Sequence, residues 1–371
     1  MTTSLRHAAG SLLVVGLSDA KLTNLERAWL KLIRPAGIIL FRRNIHDPAQ
    51  TRALLAEATA LCAAHSFRCV DVEGGTVDRL RDALAPMPSA QAVMQAATKT
   101  GRVGLIREQG ELVAQCVKAF GFNTTLAPVL DLALPESAAV MGTRAAAATA
   151  DGVIAYVRDF FAGLAARDVV GCGKHFPGLG GGTLDSHLET PTIERSWREL
   201  WTEDLVPYRE LRDQLPMIMV SHAAYPRTPG KHRPASASAF WITTVLRKRI
   251  GYRGIVFSDD LEMGGILKFM PMEEAVVAAV WAGMDLMEVC HSPELIMRAY
   301  EALITEAERS APFRTLLLAR ARQVARRRAT LFARGVPRVL SSRQFEALRG
   351  KIQRFGEKVK SIQSASEAQP A

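Results

Sequence analysis

The sequence predicts an α/β fold, a single-domain (β/α)8 barrel with a C-terminal helical extension, on three observations. Eight short β-rich runs alternate with helical stretches over the first 310 residues, six consecutive runs end in polar, chemistry-bearing residues, and beyond Ala311 the pattern turns into basic helix. Strands alternating with helices need parallel crossovers, and eight such units close a barrel. An open doubly wound sheet is the alternative that alternation by itself permits.

The strand runs are 11–17, 37–41, 67–73, 123–132, 171–176, 217–222, 254–259 and 285–290. Each is dense in aliphatic and aromatic residues and bounded by turn formers. Helical periodicity fills 22–34, 48–65, 90–120, 146–167, 195–214, 238–250, 272–283 and 293–310. The apolar run from Ala8 to Leu17, with Arg6 before it and Ser18-Asp19-Ala20 after, imitates a short signal peptide. It merges into a helix-like pattern at Leu22, Leu25, Trp29, Leu30 and Leu32, so a first buried strand with its helix is the better reading. No run approaches the ~18 apolar residues of a membrane span. After Ala311 one long Arg/Ala/Leu helix is expected, then a second basic helix over 342–360 and a disordered tail, SIQSASEAQPA. The organisation expected is a catalytic barrel over 1–310 and a basic extension over 311–371.

With 371 residues, 48% of them hydrophobic, the chain can bury a sizeable core. Five scattered cysteines, none in a C-x-x-C pair, argue against a disulfide framework or structural zinc and fit a reducing cytoplasm. The net charge of +10 looks like a nucleic-acid signal until it is mapped. From Glu301 onward there are 15 Lys and Arg against 6 Asp and Glu, so nearly all the excess lies in the last fifth and the body is almost neutral. A cluster such as Arg326-Arg327-Arg328 reads as a solvated helix face rather than a phosphate or membrane-surface contact, and no nucleic-acid partner is expected. A monomer is the expected state.

In a barrel, chemistry sits where strands run out into the following loops. Asp71 and Glu73 end the third run, Asp131 the fourth, Lys174 and His175 the fifth, His222 the sixth, Asp259 and Asp260 the seventh, Cys290 and His291 the eighth. Any one of these is explained as a turn residue or helix cap; six in succession are not. Asp259 ends an apolar run, where a carboxylate serves as nucleophile toward an electrophilic carbon or as metal ligand. Asp185-Ser186-His187, on the Gly-rich stretch 178–191, supplies an imidazole with a carboxylate in reach to orient it. These are parts for a two-step displacement. Asp71, Arg79, Arg144 and Lys174 offer donors and acceptors suited to many hydroxyls, as on a sugar ring. A metal reading competes, with Asp71, His175, Asp185, His187, His222 and His291 as ligands. The first run ends Gly16-Leu17-Ser18-Asp19 without an H-x-H, and no H-E-x-x-H occurs, so no metal or organic cofactor is expected.

Taken together, Lys174-His175-Phe176-Pro177-Gly178, Asp185-Ser186-His187 and Ser258-Asp259-Asp260-Leu261-Glu262-Met263 resemble the family 3 glycoside hydrolases of the β-N-acetylglucosaminidase (NagZ) type. GIILFRRN from Gly37, DVEGGTVDR from Asp71, SHAAYP from Ser221 and AGMDLMEVC from Ala282 add to the resemblance, which spans roughly residues 10–310. It implies Asp259 as nucleophile, His187 as acid/base with Asp185 as partner, and Asp71, Arg79, Arg144, Lys174 and His175 around a non-reducing N-acetylglucosamine. It also implies retention of configuration and, as natural substrate, the GlcNAc-anhydromuramic acid disaccharide of peptidoglycan recycling, with or without peptide. The chain departs from the family pattern at Leu179, where a His is usual, at Val72, Thr76 and Asp78, and at Ala145-Ala146 after Arg144. Three alternatives remain: a phosphorylase of the same family, a sugar-binding protein without turnover, and a metal-dependent barrel hydrolase.

Overall fold

Eight parallel strands close into a barrel in the order β1-β8-β7-β6-β5-β4-β3-β2: β1 Leu13–Val15, β2 Gly37–Ile39, β3 Phe67–Val70, β4 Thr124–Thr125, β5 Val170–Phe176, β6 Met217–Val220, β7 Ile255–Asp260 and β8 Leu286–Val289. The structure is a computed structural model that describes residues 4–102, 104–182, 191–335 and 338–364. Each strand falls within or beside an expected run. Closure is carried by β1, whose Val14 pairs with Gly37 of β2 on one side and Glu288 of β8 on the other.

Two runs are shorter than their composition suggests. The run 123–132 is a ladder strand only at Thr124–Thr125, because Pro128 has no N–H to donate. On the β5 side the pairing resumes, with Cys172 N–H donating to Ala127 O at 2.9 Å and Lys174 N–H to Pro128 O at 3.2 Å. The run 67–73 ends at Val70, and the chain then folds into a small antiparallel hairpin, Val72–Gly74 with Val77–Asp78. Gly74 and Gly75 turn this hairpin with φ of +92° and +62°, conformations that side-chain-bearing residues rarely adopt.

The helices start where capping residues stand. Thr23 and Glu26 form a reciprocal capping box at Asn24–Ile33, Asp47 caps Pro48–Ala60, Ser89 caps Ala90–Thr100 and Ser292 caps Pro293–Arg309. The stretch 90–120 is two helices, because Gly101 closes the first in a left-handed cap before Gly104–Ala119 begins. No described helix is long and apolar enough to cross a membrane.

Both C-terminal helices pack on the barrel. Ala311–Leu331 buries Phe313, Leu317, Ala321, Val324 and Arg328, spaced three and four apart on one face. Arg326 of the basic cluster is exposed, as a solvated face requires, but Arg328 is only 3% exposed. Ser342–Ser364, which runs four residues beyond the expected 360, buries Leu348, Ile352, Phe355 and Val359 against Ala90–Thr100 and Gly104–Ala119. Its Arg349 donates to Leu84 O at 2.9 Å, which ties this helix to the loop that follows the β3 hairpin.

The hairpin turn gives a stability test. A Cβ added at Gly74 would lie 2.2 Å from Pro88 O, on top of the unfavourable φ. Gly74→Ala is expected to cost about 1–3 kcal/mol in chemical denaturation and to lower affinity for any ligand of the mouth.

Candidate active site

The C-terminal ends of the strands frame a cleft of about 480 Å³. Asp71, Arg79, Arg144, Lys174, His175 and Asp259, drawn from three strand ends, the hairpin and the loop after β4, all line it. Asp185 and His187 lie outside the described residues. The chain on either side of them is anchored: Gly182 bridges Ile193, Thr192 bridges Ala224, and Tyr225 Oη donates to Gly178 O at 2.8 Å.

A buried ion network holds the mouth. Lys174, 3% exposed at the end of β5, places its Nζ 2.9 Å from Asp71 Oδ1 and 2.7 Å from Glu73 Oε1. Glu73 also accepts two hydrogen bonds from Arg144, Nε to Oε2 at 2.8 Å and an Nη to Oε1 at 2.9 Å, the planar two-point match that guanidinium and carboxylate make best. Burial by itself would push the Glu73 carboxyl up, but Arg144 and Lys174 outweigh it and hold the group well below the usual carboxylate range. Burial works against the charge of Lys174 too, and Asp71 and Glu73 overcome it, so its ammonium is held above its ordinary value.

From Arg144 the network passes to His175. Asp131, 1% exposed, lies 2.6 Å from His175 Nδ1 and accepts the Leu179 amide at 2.8 Å. With Nδ1–H donating to Asp131, the tautomer leaves Nε2 to accept from an Arg144 Nη at 3.3 Å. Leu179, where the resemblance leads one to expect histidine, lends its backbone to this arrangement and its side chain to the cleft wall.

Asp259 ends β7 with one oxygen accepting the Asp260 amide at 3.0 Å. Burial pushes its carboxyl up, but His175, His222, Lys174 and the Asp260 amide bring it below its ordinary value, so it is ionised at neutral pH. His222 is fully buried between Ser236 Oγ at 2.7 Å and Asp260 O at 2.9 Å, and burial lowers its tendency to protonate. An ionised carboxylate in a cleft of hydrogen-bonding groups suits attack on an electrophilic carbon.

The sequence reading passed over Glu288. It stands on β8 in the cleft wall, 3% exposed, with Cys290 Sγ donating to its Oε1 at 2.9 Å and no partner on Oε2. Burial together with the nearby Asp260 carboxylate raises it well above the usual carboxylate range, so it is a neutral acid. The available signal was one charged residue inside the apolar run LMEV. Asp131 was noticed as a strand end but not as the residue that orients His175.

Of the six metal-ligand candidates, the described residues bring none together as a set of three. The group they do offer is Asp260, Cys290 and His291, whose ligand atoms lie within 4.8 Å of one another. Its Cys290 thiol is buried and raised well above its ordinary value, first by burial and then by Glu288, a protonated and poorly ligating form.

With this geometry in view, the chain compares closely with known proteins. The pattern of the glycosyl hydrolase family 3 N-terminal domain matches residues 4–326. A β-hexosaminidase of Methylococcus capsulatus is 38% identical over 279 residues, 75% of this chain and 82% of that protein. Among solved structures, a glycoside hydrolase family 3 β-N-acetylglucosaminidase from Paenibacillus superposes with a TM-score of 0.86 at 30% identity, covering 96% of this chain and 69% of that one. NagZ from Neisseria gonorrhoeae, in complex with N-trifluoroacetyl-D-glucosamine, superposes with a TM-score of 0.75 at 29% identity, covering 93% and 98%.

Glu288 supplies a pH test. Its folded-state affinity for a proton exceeds the unfolded one, so the unfolded state is favoured progressively as pH rises above the unfolded value near 4.5. Glu288→Gln removes that dependence. Its stability in chemical denaturation is expected to match wild type near pH 4 and to exceed it increasingly toward pH 8, by at most about 1.4 kcal/mol per pH unit. A parallel pair of curves would contradict the assignment of a neutral acid.

Proposed function

The chain belongs to glycoside hydrolase family 3 and is a β-hexosaminidase of that family, and from this premise we propose a retaining β-N-acetylglucosaminidase that removes terminal, non-reducing GlcNAc from peptidoglycan-derived muropeptides. The substrate in this reading is GlcNAc-anhydromuramic acid, with or without peptide, in cytoplasmic cell-wall recycling. The catalytic unit spans 1–310, and 311–371 is a basic extension to it.

The observation that carries the reading is an ionised Asp259 lining the same cleft as Asp71, Arg79, Arg144, Lys174 and His175. In the first step an Asp259 oxygen attacks the anomeric carbon while the glycosidic bond breaks, and the departing oxygen takes a proton from His187. The product is a glycosyl ester on Asp259. In the second step His187 takes a proton from water, whose oxygen displaces Asp259 from the same carbon, so the two inversions restore the configuration. Asp185 orients the imidazole and stabilises its protonated form. Asp71, Arg79, Arg144, Lys174 and His175 hold the sugar hydroxyls and N-acetyl group; because Lys174, Arg144 and His175 are already fixed by buried partners, binding orders few side chains.

Three outcomes are expected. A slow 2-fluoro glycoside labels Asp259 in mass spectrometry, and Asp259→Ala loses roughly 10³-fold or more in kcat while retaining its fold; turnover near wild type would refute the nucleophile. His187→Ala loses roughly 10²–10⁴-fold on the disaccharide and much less on an activated aryl N-acetylglucosaminide, whose leaving group needs little protonation; equal losses refute the acid role. In phosphate and in a non-phosphate buffer alike the product is free GlcNAc, whereas a sugar phosphate formed in phosphate buffer would identify a phosphorylase.

A further inference from the structure

A second cleft, of about 690 Å³, opens at the other end of the barrel. Ser11 just before β1, Arg34 before β2 and Ala63 and Ala64 before β3 place it at the N-terminal ends of the strands, away from the catalytic mouth. Its remaining wall comes from His7 of the helix Leu5–Gly10 and from the helix Ala311–Leu331.

The lining chemistry is one-sided. Arg34, Arg322, Arg326 and Arg328 face the cleft with His7 and Ser11, alanines fill most of the rest, and among the described residues no carboxylate lines it. Arg322 and Arg326 stand one turn apart, with Ala321 and Ala325 beside them, and Arg326 Nε donates to Arg322 O at 3.4 Å, which leaves its Nη groups for the cleft. Helix carbonyls nearby are already engaged: Arg34 N–H donates to Leu30 O at 2.8 Å and Ser11 N–H to His7 O at 3.0 Å.

Arg328 is the second, independent observation. It is 3% exposed, one Nη donates to Ala36 O at 3.2 Å, and its Nε has no partner. Burial pushes its guanidinium down to about 10, and the one titratable group acting on it is the Cys62 thiol, itself pushed up to about 12 by burial. A buried cation is ordinarily paired. Here the donors are assembled, and among the described residues no carboxylate supplies the counter-charge.

We propose that this cleft binds a phosphate group, carried by a free phosphate or phosphomonoester or by an anionic lipid headgroup. Arg322 and Arg326 grip its oxygens from the helix, and the buried guanidinium of Arg328, which also lines the cleft, adds its positive charge from beneath. Guanidinium groups offer paired N–H donors that match phosphate oxygens. The site is independent of the sugar cleft and of the reading given to it.

The test uses the full chain, with inorganic phosphate titrated by calorimetry against chloride at equal ionic strength, and with sedimentation on phosphatidylcholine vesicles containing or lacking phosphatidylglycerol. Arg322→Ala/Arg326→Ala changes two exposed side chains and is expected to keep the fold and the aryl N-acetylglucosaminide turnover, while its affinity falls on the order of tenfold or more. Asp259→Ala is expected to bind as wild type, which separates this site from any phosphate bound in the mouth. Saturable phosphate binding identifies a soluble ligand; sedimentation only on phosphatidylglycerol vesicles, reversed by phosphate, identifies a headgroup. Binding in neither arm, or binding unchanged in the double variant, overturns the proposal.

Discussion

Lys174 lies buried between Asp71 and Glu73, and the arrangement of the mouth depends on that placement. One ammonium joins the end of β5 to the end of β3 and to the hairpin beyond it. Glu73 passes the constraint to Arg144, Arg144 to His175, and His175 to Asp131, which in turn holds the Leu179 amide. Removing one partner from such a pair leaves a charge buried and uncompensated, at a cost of about 3–5 kcal/mol. The network therefore adds little to net stability compared with an apolar core, but it tolerates few alternative arrangements. That is the property a site needs if it is to hold a sugar ring in one orientation.

The same burial has opposite results at two carboxyl groups in one cleft. Asp259 faces His175, His222 and Lys174 and remains ionised, while Glu288 faces Asp260 and a thiol and is kept neutral. The difference lies in the company each keeps, since both lose water. A neutral Glu288 spares the cleft a further negative charge close to Asp259. Its Oε2 has no partner, and a protonated Glu288 in the cleft wall does not compete with Asp259 as a second anionic nucleophile.

The eight strands were legible in the sequence because a buried parallel strand reads as an apolar run bounded by turn formers. Their ends were legible because polar residues there interrupt the runs in register. What the runs hid was pairing: Pro128 and the glycines at 74 and 75 end the ladder where the apolar pattern continues. Asp71, Lys174, His175 and Asp259 could be named from their positions at strand ends, Arg79 and Arg144 only from their chemistry and the resemblance, and these described residues share a cleft. Glu288 escaped because alternation within a four-residue strand is too short a signal, and the role of Asp131, already seen as a strand end, escaped because its partner His175 is 44 positions away in the chain. Long-range pairing of that kind leaves no local trace in composition.

Charge is where the sequence pattern and the structure diverge in an informative way. Read along the chain, Arg326-Arg327-Arg328 is one basic cluster on a helix with abundant basic neighbours, and a solvated face accounts for it. The helix divides the cluster by its 3.6-residue period: Arg328 continues the apolar series Phe313, Leu317, Ala321 and Val324, whereas Arg326 points to solvent. A helix that needed only to pack would carry Leu or Ile in that series, because burying a guanidinium without a counter-ion costs what packing then has to offset. The arginine therefore does something an aliphatic residue would not. Part of that is structural, since it donates to Ala36 O below β2. A single backbone acceptor uses one of its five N–H groups, and with Arg34, Arg322 and Arg326 lining the same cleft the charge gathered there favours an anion.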